Sequence, residues 1–310
     1  MWFKQVQLFE LKNANKYTPD SLIQKLEELA FRPCLPSMQH SLGWVSPIDD
    51  DESPLAIAVN GCLMICLQIE EKILPTTVIR HELSQKIKQI ELQEDRKVRQ
   101  REKLALKDEL MLTLLPRAFT KFTRYYAYID AKNNYLVFNT AQAKITEQFI
   151  SLFKKSVSED IAAFELKKLS PIVTNWIKTK DYPTEFAIEK ACFLQDPNHE
   201  DRRIRCQEQD LFASSIQALI KDGCEIKHIA LSWHDRVNFI LSADDFTLRS
   251  ISYEEEITAQ ATEMEAETKQ QQFIADFFIM SATISELLSD LQKVFARVMK
   301  KESLQVVVPA

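Results

Sequence analysis

VIRHELSQKIKQIELQEDRKVRQREKLALKDELMLTLLPRAFTKFTR, residues 78–124, is the stretch where periodicity, charge and chain breaks meet. Ile79, Leu83, Ile87 and Ile90 recur at steps of four, four and three, and Leu106, Leu110 and Leu114 repeat the four-residue step. That spacing lines up one face of an α-helix. Between Leu92 and Leu104 only Val98 interrupts a charged run. This part has no face to bury and is expected to project into solvent, as one long helix or as the tip of a helical hairpin. A single helix over 78–115 would be about 55 to 60 Å long at about 1.5 Å per residue. Pro116 ends it, because it cannot donate to the preceding turn and disfavours helical geometry at Leu115.

The same stretch is basic. Lys86, Lys88, Arg96, Lys97, Arg99, Arg101, Lys103, Lys107, Arg117, Lys121 and Arg124 stand against Glu91, Glu94, Asp95, Glu102, Asp108 and Glu109, a local charge of +5. The whole chain carries -6, so the remainder carries -11. An acidic protein with one basic arm is arranged to present that arm to a polyanion, although a solvated helix face has the same composition.

Length and composition bound the rest. At 310 residues and 45% hydrophobic, the chain has material for two modest domains. No apolar run approaches the roughly 18 to 20 residues that span a bilayer, and the start MWFKQVQLFEL lacks a basic region followed by an apolar block. The expectation is a soluble cytoplasmic protein that engages no membrane. Six scattered cysteines read as reduced thiols. Cys62 and Cys66 share one face of a strand in GCLMICLQI, as buried thiols and not as a metal site. Gly43, Gly61 and Gly223 are the only glycines. Phosphate-cradling loops, dinucleotide-binding turns and nucleophile elbows each need several close together, so those classes fall away and no cofactor is expected.

Around the arm the chain alternates strands and helices. Residues 2–11 read as a strand and 17–31 as a helix, with Thr18 or Asp20 as its cap and Pro19 in its first turn. Residues 34–54 read as a loop with three prolines and the acidic run Asp49-Asp50-Asp51-Glu52, which lacks the spacing of a calcium loop. Residues 55–69 form a strand pair turned at Asn60-Gly61. After Pro116 come strands over 125–130 and 135–139, turned at Asn133-Asn134, and a helix over 141–155. The second half repeats this grammar: helices over 171–178 and 211–222, strands over 186–194, 204–206, 225–240 and 246–253, with a turn at Asp244-Asp245. An acidic, weakly packed helix follows over 254–272, then a strand over 273–280 and a last helix opened by a Thr283/Glu286 capping box. The apolar tail 304–308 reads as a further strand or a partner contact. The predicted fold is α+β, antiparallel sheets with flanking helices and a long projecting arm. Its units are residues 1–75 with 117–165, an inserted arm over 76–116, and 166–310.

Catalytic groupings are sparse. His234 and Asp235, adjacent in a strand, point to opposite faces and form no relay. Asp160 with Glu165 and Lys167 is the one set that suits a metal-dependent nuclease, at a spacing common by chance in a chain with 27% charged residues. Phe119, Phe122, Tyr125 and Tyr126 interleave with Arg117, Lys121 and Arg124, a mixture that can stack on bases while holding phosphates. Phe119 and Phe122, three apart, fit a core or a subunit contact equally well.

The strings Glu70-Glu71-Lys72-Ile73-Leu74-Pro75 and Leu114-Leu115-Pro116-Arg117-Ala118-Phe119 are specific, and with Met1-Trp2-Phe3-Lys4, Phe31-Arg32-Pro33-Cys34, Gly43-Trp44-Val45, Leu231-Ser232-Trp233 and Ala275-Asp276-Phe277 they span nearly the whole chain. The chain resembles the family of the recombination-associated protein RdgC. The resemblance implies an open horseshoe monomer of two related halves that closes into a ring as a homodimer, encircling duplex DNA without reading its sequence. It implies no enzyme activity, a role in recombination by restraining RecA filaments, and residence in the nucleoid. It places Phe119 at one dimer contact and Glu208-Gln209 at the second, where the family carries a lysine-glutamine pair. Candidate phosphate contacts are Lys86, Lys88, Arg96, Lys97, Arg99, Arg101, Arg117, Lys121 and Arg124. Double-stranded DNA is the expected partner, with single strands an open alternative; the competing classes are a nuclease and a scaffold that uses the arm to bind protein.

Overall fold

The computed structural model describes residues 1–50, 53–164, 166, 169–264 and 266–305. In chain order the first elements are β1 (Gln7–Glu10), α1 (Pro19–Glu27), β2 (His40–Val45), β3 (Ala56–Val59), β4 (Cys62–Ile73), α2 (Thr76–Glu94), α3 (Gln100–Leu114), β5 (Phe119–Asp130), β6 (Tyr135–Phe138), α4 (Ala143–Val157) and β7 (Ala162–Ala163). The strands form one antiparallel sheet in the order β2-β4-β5-β6-β1-β7, with β3 also pairing β4. β4 and β5 pair over their full lengths, from Cys62 opposite Asp130 to Ile73 opposite Phe119.

β4 shows why its sequence is an unbroken apolar run. Leu63, Ile65, Leu67 and Ile69 lie in a cluster with Leu22 and Leu26 of α1 and Phe149 and Phe153 of α4. Met64 and Cys62 lie in a second cluster, shared with the other half of the molecule. A strand buried on both faces needs no alternation. The strand pair turns where expected, Asn60 and Gly61 both adopting positive φ (48° and 77°) as a two-residue I′ turn requires. α1 starts as read: Thr18 and Ser21 form a reciprocal capping box ahead of Pro19.

Residues 34–54 are not all loop. β2 lies inside them and pairs with β4 from His40/Glu71 to Val45/Cys66. Prolines on either side mask its short alternation, and Gly43 adds a contact no local pattern shows. A Cβ there would sit 2.4 Å from the Phe31 Cα, where residues 29–31 run beside β2 through Phe31 N–H to Trp44 O and Trp44 N–H to Leu29 O. Trp44 is buried, its indole N–H donating to Ser156 Oγ at 2.9 Å.

The second half contains α5 (Leu169–Thr179), β8 (Phe186–Asp196), β9 (His199–Cys206), α6 (Ser214–Lys221), β10 (Glu225–Trp233), β11 (Val237–Ser242), β12 (Thr247–Tyr253), α7 (Glu255–Thr262) and α8 (Lys269–Gln305). Its five strands are antiparallel in the order β12-β11-β10-β8-β9. The strand expected over 225–240 is broken at His234 and Asp235, both at positive φ (49° and 53°). They make a tight turn instead of lying within a strand. The strand expected over 273–280 and the Thr283/Glu286 cap are likewise corrected. Phe277, Met280, Ile284, Leu287, Leu288, Leu291, Val294 and Phe295 are buried along one stripe of α8, and the Thr283 hydroxyl donates to Ile279 O inside that helix. The aromatic density of FIADFFIM imitates a strand, but from Phe277 onward the buried residues follow the three- and four-residue steps of a helix. Residues 254–272 are not one helix: α7 ends at Thr262 and α8 starts at Lys269, and of α7 only Ile257 and Ala261 are buried. α8 runs to Gln305, and the expectation for 304–308 falls mostly outside the described residues. Among the described residues no helix is long and apolar enough to cross a membrane.

The two sheets share a core in which Phe3, Val6, Leu8, Met64 and Tyr128 join Trp176, Trp233, Phe277 and Phe295. Gly43→Ala is expected to cost about 1 to 3 kcal/mol, because Phe31 backbone must yield to the new methyl. Chemical denaturation should show a lower midpoint at unchanged slope; an unchanged midpoint would refute the contact.

Candidate nucleic-acid interface

Full pairing of β4 with β5 brings Ile73 and Phe119 opposite each other, so everything between them leaves and re-enters the sheet at one place. The insertion is a helical hairpin and not one long helix. α2, nineteen residues, is about 28 Å long, and α3 returns beside it. Asp95 at φ 48° ends α2 in the left-handed conformation. The seam is thin: Ile79, Leu110 and Leu115 are buried, while Leu83, Ile87, Ile90, Leu106 and Leu114 are only half-buried. Val98, which interrupts the charged run, is 5% exposed and plugs the tip, its N–H donating to Glu91 Oε1.

Charges close the same tip. Arg96 binds Glu102 through two parallel hydrogen bonds of 2.7 and 2.8 Å and Glu94 at 2.6 Å. The guanidinium holds the Glu102 carboxyl below its ordinary range, chiefly through those bonds. Lys86 crosses to Glu109 at 3.0 Å.

These contacts divide the nine predicted cations. Lys86 and Arg96 are engaged within the arm, and Arg124 is half-buried between Asp49, at 2.9 Å, and Gln68. Lys88, Lys97, Arg99, Arg101, Arg117 and Lys121 are exposed and carry no ion pair among the described residues. At the root of the arm a cleft of about 460 Å³ is lined by Lys72, Arg80 and Lys107 over Ile79, Met111 and Leu115. Sequence reading had counted Lys107 without nominating it. Arg80, six residues before Lys86, and Lys72, next to the last residue of β4, carry no local signal that would nominate them.

The aromatics do not behave as one face. β5 starts at Phe119, six residues before the strand expected, so residues three apart lie on opposite sides of the sheet. Phe119 is 84% exposed, and Phe122 is exposed with its ring edge-to-face on Phe31. Neither is core. Glu208 and Gln209 are exposed in the loop after β9, Glu208 at φ 52° and Gln209 N–H donating to Lys190 O.

The catalytic candidates gather little. Asp160 faces Lys154 at 4.0 Å, and Glu165 and Lys167 lie outside the described residues. His234 faces Asp290 of α8 at 3.6 Å and not Asp235. Burial pushes the Cys62 and Cys66 thiols up to about 12, and no described group of three or more His, Cys, Asp or Glu side chains has a metal-binding arrangement.

Comparison with known proteins bears on this surface. A family model described as "RdgC: Putative exonuclease, RdgC" matches residues 1–298. A protein of Yersinia enterocolitica named "Recombination-associated protein RdgC" is 33% identical over 294 residues, 94% of this chain and 96% of that protein. Proteins of the same name from Yersinia pestis and Yersinia pseudotuberculosis match to the same extent.

Two outcomes are expected at the tip. Val98→Ala should lower the local opening free energy by about 1 to 2 kcal/mol, accelerating amide exchange around 91–102 by about 5- to 30-fold while exchange in β4 and β5 is unchanged. A lowered folded pKa means the Arg96–Glu102 clamp persists above the unfolded carboxylate value and is lost as pH falls through the folded one. In Arg96→Ala the Glu102 carboxyl should titrate in its ordinary range by NMR; an unmoved titration would show that the clamp does not form in solution.

Proposed function

The chain belongs to the RdgC family of recombination-associated proteins, and from that premise we propose that it binds DNA through phosphates, without reading sequence, as a homodimer closed into a ring around the duplex. One observation carries the reading: six exposed cations without ion pairs among the described residues, on the arm and at its root, in a chain of net charge -6. Lys88, Lys97, Arg99, Arg101, Arg117 and Lys121 are the phosphate contacts in this proposal, with Lys86, Arg96 and Arg124 available when DNA competes for their carboxylate partners. Contacts of this kind release counterions and give affinity without base readout. A ring confines its cations to one inner surface, which reconciles DNA binding with an acidic chain.

Phe119 supports closure of the ring. A phenylalanine left 84% exposed at a strand end is most economically accounted for by a partner that covers it. In the proposal Phe119 makes one dimer contact and Glu208 with Gln209 the other, joining two horseshoe-shaped monomers. In the proposal the arm over 76–116 is an insertion within the unit formed by residues 1–75 and 117–165, and residues 166–310 form the second unit. DNA occupied by such a ring is closed to RecA, so filament growth is restrained without chemistry, in the cytoplasm at the nucleoid. A nuclease remains the second reading, because the family model's description names one.

The test is affinity for a duplex of arbitrary sequence against salt. With six phosphate contacts from each of the two protomers the log-log slope should be about -11, and Arg117→Glu/Lys121→Glu should flatten it by about 4. Negligible binding at low salt overturns the proposal, and magnesium-dependent shortening of the duplex transfers it to the nuclease. Phe119→Ala should shift sedimentation from dimer towards monomer; an unchanged dimer removes Phe119 from the closing contact.

A further inference from the structure

α5 and α8 cover one face of the five-stranded sheet, and Cys192, Leu194, Ile226, Ile229, Leu231, Phe239 and Leu241 point into the core beneath them. On the opposite face Phe193, His228 and Ile240 are only half-buried. Arg205, Phe193 and His228 lie side by side there on β9, β8 and β10, and Ile240, opposite Ala230 of β10 and paired with Arg249 of β12, lies in the next row along the strands. Phe193 and Ile240 belong to neither buried cluster and are half-exposed. The Phe193 ring lies 5.5 Å from the His228 ring at 30°. Around them is a cleft of about 280 Å³ rimmed by Arg205 and Arg249.

The charges of this cleft are incompletely matched. Arg205 is exposed and has no ion pair among the described residues. Arg249 reaches Asp245 at 3.4 Å, while its Nε, like His228 Nδ1, is sealed and has no hydrogen-bond partner among them. The neighbouring Asp244 is taken by Lys227 at 3.1 Å. Burial and then the Arg249 charge hold His228 below its ordinary pKa, so the imidazole sits neutral beside Phe193. The result is a flat apolar and aromatic floor with a guanidinium at each rim.

The geometry points to a single-stranded nucleic-acid site on this face: an unpaired base lies on Phe193 and Ile240, and the phosphates flanking it meet Arg205 and Arg249. The inference rests on the DNA-binding reading above and adds to it a second surface for a different form of the ligand. Duplex bases are stacked inside the helix and have no free face to offer this floor, whereas every unpaired base has one. The arm holds phosphates, which both forms share; the sheet face selects the unpaired one.

The experiment measures fluorescence anisotropy of a labelled thymidine oligonucleotide of about 15 residues, with a duplex of equal length beside it. Phe193→Ala and Phe193→Leu should each weaken the oligonucleotide about tenfold, leaving duplex affinity within about twofold of wild type. Arg205→Gln should flatten the salt dependence for the single strand by about 0.7. Duplex binding in the same samples confirms that the variants are folded. If wild type binds both forms and the Phe193 variants weaken neither, this inference falls and the DNA-binding reading stands. Failure of wild type to bind either form overturns the reading itself. Phe193 variants that lose self-association while keeping the oligonucleotide would assign the face to a second copy of the chain. Poly-glutamate that displaces the oligonucleotide in a Phe193-dependent way would assign it to an acidic polypeptide.

Discussion

Val6 donates its N–H to the Leu248 carbonyl and accepts the Leu248 N–H in return, at 2.8 and 2.9 Å, and two residues earlier Lys4 O takes the Ile251 N–H. The segment that enters β1 in the first sheet thus also closes the free edge of β12 in the second. An unpaired edge is a liability in any antiparallel sheet, and here a few backbone bonds remove it while fixing the two sheets in register. The side chains of the same segment complete the union. Phe3 is fully buried, its N–H directed at the Met280 sulfur of α8 and its carbonyl accepting the Tyr253 hydroxyl. The common core of Phe3, Val6, Leu8, Trp176, Trp233 and Phe277 depends on this joint, and so does any fixed relation between the arm and the second sheet.

The arm obeys a different economy. Its helices bury few residues, and its tip is held by one valine and one arginine that grips two carboxylates. Such a seam suits an element whose task is to carry charge away from the body, because each position spent on packing is lost to cations. The exposed pairs are individually weak, so the bidentate geometry at Arg96 and Glu102 contributes mainly by defining where the chain reverses. Electrostatics also explains why the nine cations are unequal. Three have carboxylate neighbours that the fold supplies, and six face solvent.

Legibility followed the range of the interaction involved. The Asn60-Gly61 turn, the Thr18 cap and the helical period of the arm are local, and each was readable from a few neighbouring residues. β2 was not, because its pairing with β4 and the approach of Phe31 to Gly43 are tertiary facts hidden between prolines. α8 was misread at its start because phenylalanine-rich runs suit a strand as well as a buried helix, and length alone decides between them. At the candidate interface the sequence located the cations but not their partners. Asp49 lies seventy-five positions from Arg124, and Glu109 twenty-three from Lys86, so neither pairing leaves a trace in local composition. The half-buried face of the second sheet was invisible for a related reason: Arg205, Phe193, His228 and Arg249 come from four strands.

The insertion of the arm between two fully paired strands also bears on how such a molecule can vary. Opposed residues in an antiparallel ladder lie only about 5 Å apart, so the stems at Ile73 and Phe119 already meet the geometric demand of a short loop. Closure entropy grows slowly with the number of residues enclosed. The sheet is therefore nearly indifferent to what the stems carry, and lengthening, shortening or recharging the hairpin changes its reach without renegotiating the core. The molecule behaves as a fixed handle with an exchangeable tool.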